Sequence, residues 1–295
     1  MTTAPSSGDG LARTPPILPG SVDPGLLVVG VGRSGTSIAC RFATMIGLRA
    51  PALWDLMPAN SANVDGYWES TSLAAVNDRL LDAWDSSWWQ PPQSVSGAMV
   101  MAAARLDREA LDHFGRVYGS SANWVWKDPR LTVTLPFWDR LLGDQPVLFV
   151  HRSPVAVARS IHARDALTIP QALALWERHT RLGLRAIRGK RVLVASYDLL
   201  CADPDVWLER AAAFCESVGL SVRDPTSSVA AMIRSHLDSR TDDLTATQRT
   251  LVELLDNLDG PHLAFPPIDL APEGRDIADC IGAIARPSWL SARGR

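Results

Sequence analysis

The feature that most constrains the fold is a buried strand that runs into a glycine-rich turn and then a helix. Residues 26–29 are an unbroken apolar run, residues 30–37 read Gly-Val-Gly-Arg-Ser-Gly-Thr-Ser, and residues 38–46 have a helical pattern. In such a unit the backbone N–H groups of the turn point inward, and the helix N-terminus adds about half a positive charge. The sequence therefore predicts a cradle for a phosphate group at residues 30–37.

The residues inside this turn differ from those of an ATP-binding loop. Gly30 and Gly35 have the spacing of that loop and Ser37 takes its hydroxyl position, but Thr36 stands where a lysine is required. Arg33 supplies the cation instead. A guanidinium among hydroxyl groups suits an anion held by hydrogen bonds, with no evident need for magnesium. The alternative is an ordinary glycine turn, which needs neither the arginine nor the hydroxyls.

Charge and cysteine content restrict the partners and the compartment. With 29 Lys and Arg against 32 Asp and Glu, the net charge of −3 indicates no general affinity for nucleic acid. The four cysteines lack the spacing of metal ligands, so we expect free thiols, no metal and a cytoplasmic location. No run approaches the ~20 apolar residues of a membrane span. Residues 1–23, rich in Ser, Thr, Pro and Gly at their start, are expected to form a flexible arm rather than a targeting peptide.

Short apolar runs alternate with helical patterns along the rest of the chain. Such alternation predicts an α/β protein with a P-loop-type, three-layer fold, in which helices cover both faces of a parallel sheet. The strands are expected at 124–126, 147–150 and 192–195, and the main helices at 155–164, 171–188 and 205–218. Ligands bind such sheets at the carboxyl ends of the strands. Since the polar segments at Gly30, Lys127 and Arg152 each follow a strand, we expect them to converge on one site.

A second anion site is predicted where the strand at 147–150 meets its helix. Pro154 suits the first helical turn, where its missing N–H is harmless. Ser160 lies eight residues after Arg152, about two helical turns on, and Arg164 shares the helix face of Ser160. The alternative is a solvated helix face with a structural arginine. Together with the glycine loop, the second site suggests a nucleotide that carries phosphates at both ends.

These motifs resemble those of the sulfotransferase family. The loop at residues 30–37 resembles the family's 5′-phosphosulfate loop, and the segment from Arg152 to Ser160 is similar to its 3′-phosphate motif. Both motifs bind 3′-phosphoadenosine 5′-phosphosulfate (PAPS). Lys127-Asp128-Pro129 is similar to a segment of tyrosylprotein sulfotransferases whose lysine helps to stabilise the transferring sulfuryl group. The segment 197–200, Tyr-Asp-Leu-Leu, resembles a family segment near the bound nucleotide.

The resemblance covers roughly residues 25–220 and implies PAPS as co-substrate, its bisphosphate PAP as product, and no metal. It is nearer to bacterial, carbohydrate- and protein-modifying members than to the cytosolic small-molecule group, because the Arg-Lys-Gly segment of that group is missing here. We expect a sulfotransferase domain over residues 24–270 and a C-terminal tail over 271–295. The residues expected to bind the nucleotide are Gly32, Arg33, Ser34, Gly35, Thr36, Ser37, Arg152, Ser160, Arg164 and Tyr197.

The acceptor is expected to bind among residues 48–123, which lie between the motifs. This segment holds Trp54, Trp68, Trp84, Trp88 and Trp89. Some of them must pack in the core. Trp88-Trp89, beside two prolines, is typical of a loop, where exposed indoles stack on flat or sugar-like molecules. We therefore expect a hydroxyl of a glycan or small-molecule natural product as the acceptor, and no nucleic acid or membrane partner. The oligomeric state is not indicated.

Sulfuryl transfer requires in-line geometry, stabilisation of charge on the leaving phosphate oxygen, and a base for the acceptor hydroxyl. Arg33 and Lys127 suit the developing charge. Glu69 is the first candidate for the base, because it follows an aromatic pair and precedes a helix. The alternatives are a helix-capping role for Glu69 and a surface position for Lys127. Further candidates for the base are Asp65, Asp85 and His113.

Two other functions are compatible with the sequence. The first is a P-loop nucleotide kinase or NTPase, against which Thr36 argues, and which ATP hydrolysis with magnesium would support. The second is a non-catalytic module that binds a nucleotide or a glycan through the tryptophan-rich segment. Glycan binding without sulfate transfer would support that reading.

Overall fold

A five-stranded sheet forms the centre of the molecule. The computed structural model describes residues 22–60, 63, 66–119, 122–224 and 244–285, so nearly all of the predicted N-terminal arm lies outside it. The strands are β1 (Gly25–Val29), β2 (Trp124–Lys127), β3 (Val147–His151), β4 (Val192–Ser196) and β5 (Gly260–His262). Their order is β2-β1-β3-β4-β5. The first four strands are parallel, and β5 runs antiparallel to β4.

Helices connect the strands and cover the sheet. Within the described residues they are α1 (Thr36–Met45), α2 (Thr71–Ala83), α3 (Gly97–Ala102), α4 (Asp107–Tyr118), α5 (Leu131–Leu142), α6 (Pro154–Asp165), α7 (Ile169–Ala186), α8 (Tyr197–Ala202), α9 (Pro204–Ser217), α10 (Ala246–Asn257) and α11 (Arg275–Gly282). None of them is long and apolar enough to cross a membrane. All four cysteines are free thiols.

Alternate residues of each strand face opposite layers, as the period of two in a strand requires. On one side Leu27 and Val29 pack in a core that contains residues of α2, α4, α5 and α7. On the other side Leu26 and Val28 pack with residues of α1 and α9. β1 to β4 are buried on both faces, which explains their apolar runs. The predicted three-layer α/β fold is confirmed.

The C-terminal part of the chain adds two elements that the sequence did not indicate. β5 is only three residues long, reads Gly-Pro-His, and pairs with β4 through Gly260 and Val194. Its composition carries no strand pattern, so the antiparallel edge was missed. The predicted tail from residue 271 includes α11, which packs on α7 and buries Ile277 and Ile281. The domain limits stay a prediction.

Asn77 ties α2 to the elements that follow β2. Its side chain is fully buried. Its carbonyl oxygen accepts hydrogen bonds from Thr134 Oγ1 at 2.9 Å and from Trp138 Nε1 at 2.7 Å, both on α5. Its amide donates to Asp128 Oδ2 at 2.9 Å. This one side chain therefore fixes α2 against the loop that carries the lysine motif.

We expect Asn77→Ala to lower the free energy of unfolding by about 3 kcal/mol, because it leaves Trp138 Nε1 and Asp128 Oδ2 buried without their partner, while Thr134 Oγ1 keeps its bond to the Arg130 carbonyl. Urea unfolding followed by tryptophan fluorescence measures the loss. Asn257→Ala, at the exposed end of α10, is the control and should cost less than about 0.5 kcal/mol. Equal losses in the two variants would contradict this account.

Candidate active site

The carboxyl ends of β1, β2 and β3 open into one cleft of about 1380 Å³. The structure brings all but one of the predicted site residues to its wall. They are Gly32, Arg33, Gly35, Thr36, Ser37, Glu69, Lys127, Arg152, Ser160, Arg164 and Tyr197. The exception is Ser34, whose side chain is only 1 % exposed and whose hydroxyl has no hydrogen-bond partner among the described residues. Ser34 thus lies under the loop rather than facing the cleft.

The glycine loop has the backbone that an anion cradle needs. Arg33 and Gly35 both have left-handed φ angles, 75° and 89°, and Ser34 N donates to the Val31 carbonyl at 3.1 Å. A glycine is required at position 35 for two reasons. Its φ is left-handed, and a Cβ there would lie 2.0 Å from the ring of Tyr197. Helix α1 then begins at Thr36 without a side-chain cap and without an acidic residue in its first turn. Its N-terminal N–H groups and partial positive charge remain available to an anion.

Arg33 joins the loop to the second predicted anion motif. Its Nε donates to Ser160 Oγ on α6 at 2.9 Å, and its carbonyl accepts from Arg152 Nη1 at 3.3 Å. The Arg152 guanidinium also lies over the ring of Tyr197, 4.5 Å from the centroid. Burial and the positive charge of Arg164 lower the pKa of Arg33. The two motifs therefore form one cationic region, in which a bound anion would relieve repulsion.

Arg164 belongs to this region but is already paired. Its Nε and Nη2 hold the carboxylate of Asp165 at 2.6–2.8 Å, and its guanidinium lies 5.5 and 5.7 Å from the ring centroids of Trp88 and Trp89. Three arginines and one aspartate give the region a formal charge of +2. That charge matches a phosphate dianion.

Lys127 and Glu69 form a buried ion pair at the end of β2. Lys127 is 2 % exposed and Glu69 5 % exposed, and Nζ lies 2.5 Å from Oε1. Glu69 does not cap α2, because the N-cap is Ser70, whose hydroxyl accepts from Leu73 N at 3.1 Å. The surface position considered for Lys127 and the capping role considered for Glu69 are both wrong.

Arg130 is a cleft residue that the sequence analysis missed. Its Nη1 lies 3.7 Å from Glu69 Oε2, its Nε donates to Asp78 Oδ1 at 2.6 Å, and its Nη1 to Asp128 Oδ1 at 3.1 Å. Burial lowers the pKa of Arg130, but the carboxylates of Asp128, Asp78 and Glu69 outweigh burial and raise it above its ordinary value. The sequence did offer one indication of Arg130 as a site residue, because it directly follows Lys127-Asp128-Pro129 at the end of a strand.

Trp88 and Trp89 are not the exposed loop indoles that were expected. Each is only 9 % exposed, and their rings pack edge to face at 4.5 Å. The expectation failed because Trp88 stacks on the buried ring of His179 at 5.1 Å, an inter-element contact that local composition does not encode. Burial lowers the pKa of His179 to about 4, so this histidine is neutral at pH 7. Both indoles still border the cleft with their remaining surface.

The other tryptophans and base candidates lie in different places. Trp68 lines the cleft, Trp84 is buried and donates to the Met99 carbonyl, and Trp54 is 68 % exposed. Of the further base candidates, Asp65 lies outside the described residues. His113 lies on α4 beside Glu109, and Asp85 follows the end of α2; neither borders the cleft. The described residues hold no cluster of three metal-ligating side chains.

Comparison with known families decides the assignment. The sequence profile of the sulfotransferase family matches residues 24–224, about two thirds of the chain and the part that contains every motif described above. The chain belongs to the sulfotransferase family. The resemblance found in the sequence is thereby confirmed. A comparison with curated protein sequences gives no significant match.

Solved sulfotransferase structures also resemble the chain. The sulfotransferase domain of the Synechococcus PCC 7002 olefin synthase shares 17% identity over 90% of this chain and 96% of that one, with a TM-score of 0.39. Sulfotransferase STF9 from Mycobacterium avium shares 13% identity over 82% and 79%, with a TM-score of 0.45. For STF1 from Mycobacterium tuberculosis H37Rv, the identity is 16% over 80% and 77%, and the TM-score is 0.43.

The loop geometry yields a stability prediction for this sulfotransferase. Gly35→Ala should lower the free energy of unfolding by about 1–3 kcal/mol from backbone strain, with a further cost from the contact with Tyr197. Gly97→Ala is the matched control, because nothing lies within 4 Å of its Cβ position and its φ is not left-handed. It should be neutral or slightly stabilising. Urea unfolding of both variants tests this, and a harmless Gly35→Ala would disprove the loop geometry.

Proposed function

We propose that this sulfotransferase transfers the sulfuryl group of PAPS to a hydroxyl of a glycan or small-molecule acceptor. The observation that carries the proposal is that two cationic motifs, linked by the Arg33–Ser160 hydrogen bond, share one cleft with the Lys127–Glu69 ion pair. A nucleotide phosphorylated at both ends fits two anion sites. A buried acid–base pair beside it fits group transfer to a hydroxyl.

The two ends of the cofactor would meet different donors. The 5′ end suits the glycine loop, where α1 offers uncapped N–H groups and Thr36 offers a hydroxyl. The Ser37 hydroxyl donates to the Tyr67 carbonyl at 3.1 Å and would have to exchange this bond for one to the phosphate. The 3′-phosphate suits Arg152 and Ser160, in the region whose formal charge is +2. Arg164 stays a candidate for the same phosphate, with Asp165 as its present partner. The ring of Tyr197 contacts the Arg152 guanidinium and helps to hold it in place.

Lys127 and Glu69 are suited to the transfer itself. PAPS supplies an activated sulfur: the acceptor oxygen forms a bond to it, while the bond from sulfur to the 5′-phosphate breaks and its electron pair stays on the phosphate oxygen. Glu69 takes the proton of the acceptor hydroxyl. Once protonated, Glu69 no longer neutralises Lys127, so the ammonium can stabilise the charge on the departing phosphate. One ion pair thereby serves both ends of the reaction.

Arg33 has a less direct position than the sequence suggested. Its charged neighbours are Arg152, Arg164 and Asp165, and its Nε faces Ser160. We propose that it spans the nucleotide between the two phosphate sites and that its Nη atoms contact the transferred group. The cytoplasmic location remains a prediction that rests on the four free thiols.

The acceptor would lie along α2. The α2 residues of the cleft wall are Thr71, Ala74, Ala75, Asp78, Leu81 and Asp82, and Trp68, Trp88 and Trp89 also line the cleft. Small apolar residues with a few polar groups suit a sugar ring, a phenol or a lipid-like molecule equally. Mass spectrometry of candidate acceptors incubated with PAPS tests the function directly: a product heavier by one sulfuryl group supports it. ATP hydrolysis with magnesium, without sulfation of any acceptor, would contradict it.

Nucleotide binding provides a test that needs no acceptor. Adenosine 3′,5′-bisphosphate should bind about 10- to 100-fold more tightly than AMP, because charged hydrogen bonds to the 3′-phosphate add about 1.5–3 kcal/mol. Arg152→Met should remove most of this difference and leave AMP binding nearly unchanged. Isothermal titration measures both. Equal affinities for the two nucleotides in the wild type would disprove the 3′-phosphate site.

Measuring kcat and nucleotide affinity together distinguishes the proposed role of the Lys127–Glu69 pair in transfer from a role in binding. We expect Glu69→Gln and Lys127→Ala each to lower kcat about 100-fold or more, with affinity for adenosine 3′,5′-bisphosphate changed less than about threefold. The matched control is Lys190→Ala, since Lys190 is the only other lysine of the chain and is also paired with carboxylates, at Asp139 and Asp144. Radiolabelled PAPS measures transfer. Full activity of Glu69→Gln at saturating substrate would remove Glu69 as the base.

A further inference from the structure

The guanidinium of Arg130 lies at the centre of a group of three carboxylates. Its Nε and Nη2 grip both oxygens of Asp78, at 2.6 and 3.3 Å. Its Nη1 lies 3.1 Å from Asp128 Oδ1 and 3.7 Å from Glu69 Oε2. Among the residues that the structure describes, Arg130 is the cation that contacts all three of these carboxylates, whereas Lys127 is paired with Glu69 at the other oxygen, Oε1.

The position of Arg130 is fixed from several sides. Asp128 Oδ1 also accepts from the backbone N of Arg130 at 2.8 Å, and Asp128 Oδ2 accepts from buried Asn77. The fork of contacts to Asp78 on α2 prevents the guanidinium from turning. Only 17 % of the Arg130 side chain is exposed. A cation held in this way presents a constant charge to Glu69.

The charges of this group do not balance. Glu69, Asp78 and Asp128 carry three negative charges, and Lys127 and Arg130 carry two positive ones. When Glu69 takes a proton from the acceptor hydroxyl, the group becomes neutral. Removing Arg130 would leave three carboxylates with one cation, and the negative form of Glu69 would lose part of its stabilisation.

We propose that Arg130 is a positioning residue for the transfer reaction, which holds the Glu69 carboxylate by its second oxygen and keeps it unprotonated until the acceptor hydroxyl delivers its proton. The inference rests on the proposed function of Glu69 as the base. Arg130 acts through Glu69 and need not touch the acceptor.

The groups that face Glu69 come from three elements. Lys127 approaches from β2 and Arg130 from the turn before α5. Cys40 approaches from α1, and burial raises the pKa of its thiol to about 12, so it is neutral throughout the range of interest. Asp78 pairs with Nε of Arg130, and Asp128 pairs with Nη1, the atom that approaches Glu69. Loss of the arginine charge thus acts on Glu69 in one direction, toward protonation.

The test is the pH dependence of PAP release from PAPS, with water as the acceptor, so that no acceptor has to be identified. A base must be unprotonated, and the rate therefore falls on the acidic side. In Arg130→Met we expect this acidic limb to move up by about one pH unit, with activity recovered at high pH. Arg130→Lys keeps the charge and loses the fork, so its limb should stay near that of the wild type at a reduced rate.

Asp78→Asn changes the local charge in the opposite direction to Arg130→Met, because it removes a negative charge. We expect the acidic limb of its rate profile to move to lower pH or to stay in place. Arg140→Met is the control for the loss of an arginine that binds both oxygens of a carboxylate. Arg140 binds Asp107 in this way, and neither residue lines the cleft. Its profile should match the wild type. Thermal unfolding identifies any variant that fails to fold. If Arg130→Met does not fold, the pH profiles of Arg130→Lys and Asp78→Asn still test the inference.

The outcomes separate the inference from the function on which it rests. A wild type that releases no PAP at any pH contradicts the proposed function and the inference together. Wild-type turnover with a uniform loss of rate in Arg130→Met, unchanged in pH dependence, overturns the inference alone. So does an Arg130→Lys limb that moves as far as that of Arg130→Met, or an Asp78→Asn limb that moves to higher pH.

Discussion

The buried ion pair between Lys127 and Glu69 is the interaction on which the rest of the site depends. Burying two charges costs several kcal/mol per ion unless the partners and further hydrogen bonds compensate. The surrounding structure supplies that compensation. Asp55 accepts from Ser70 and Ser72 and so fixes the segment next to Glu69, while Arg130 approaches the second oxygen of Glu69. Such an arrangement costs stability, which fits the role in sulfuryl transfer that we propose for the pair.

The choice of lysine at this place has a physical reason. Lys127 and Lys190 are the only lysines in a chain that otherwise uses arginine for its cations. An ammonium is a compact point charge on a flexible stem, whereas a guanidinium is a planar fork suited to orienting carboxylates and phosphates. The cationic region at Arg33, Arg152 and Arg164 presents forks, which suit an anion that must be held in one orientation. At the proposed reaction centre, we expect the ammonium of Lys127 to turn from Glu69 to the departing oxygen.

The sequence predicted those features that are local in the chain. The apolar runs of β1 to β4, the glycine loop and the spacing from Arg152 to Ser160 are each readable within a dozen residues, and the topology of a parallel sheet brings their ends together. The sequence could not show contacts between distant elements. The stacking of Trp88 on His179 and the contact of Arg130 with Asp78 are set by packing of α7 and α2. β5 was missed because Gly-Pro-His has no strand pattern of its own.

We propose that the glycine loop and the start of α6 hold the two ends of one nucleotide, with the sulfur side turned toward Lys127. A crystal structure of the protein with adenosine 3′,5′-bisphosphate is the decisive measurement. We expect the 5′-phosphate on the N–H groups of residues 35–37, within reach of Lys127 Nζ, and the 3′-phosphate on Arg152 and Ser160. A nucleotide bound in the reverse direction, or with its 3′-phosphate in solvent, would contradict the account.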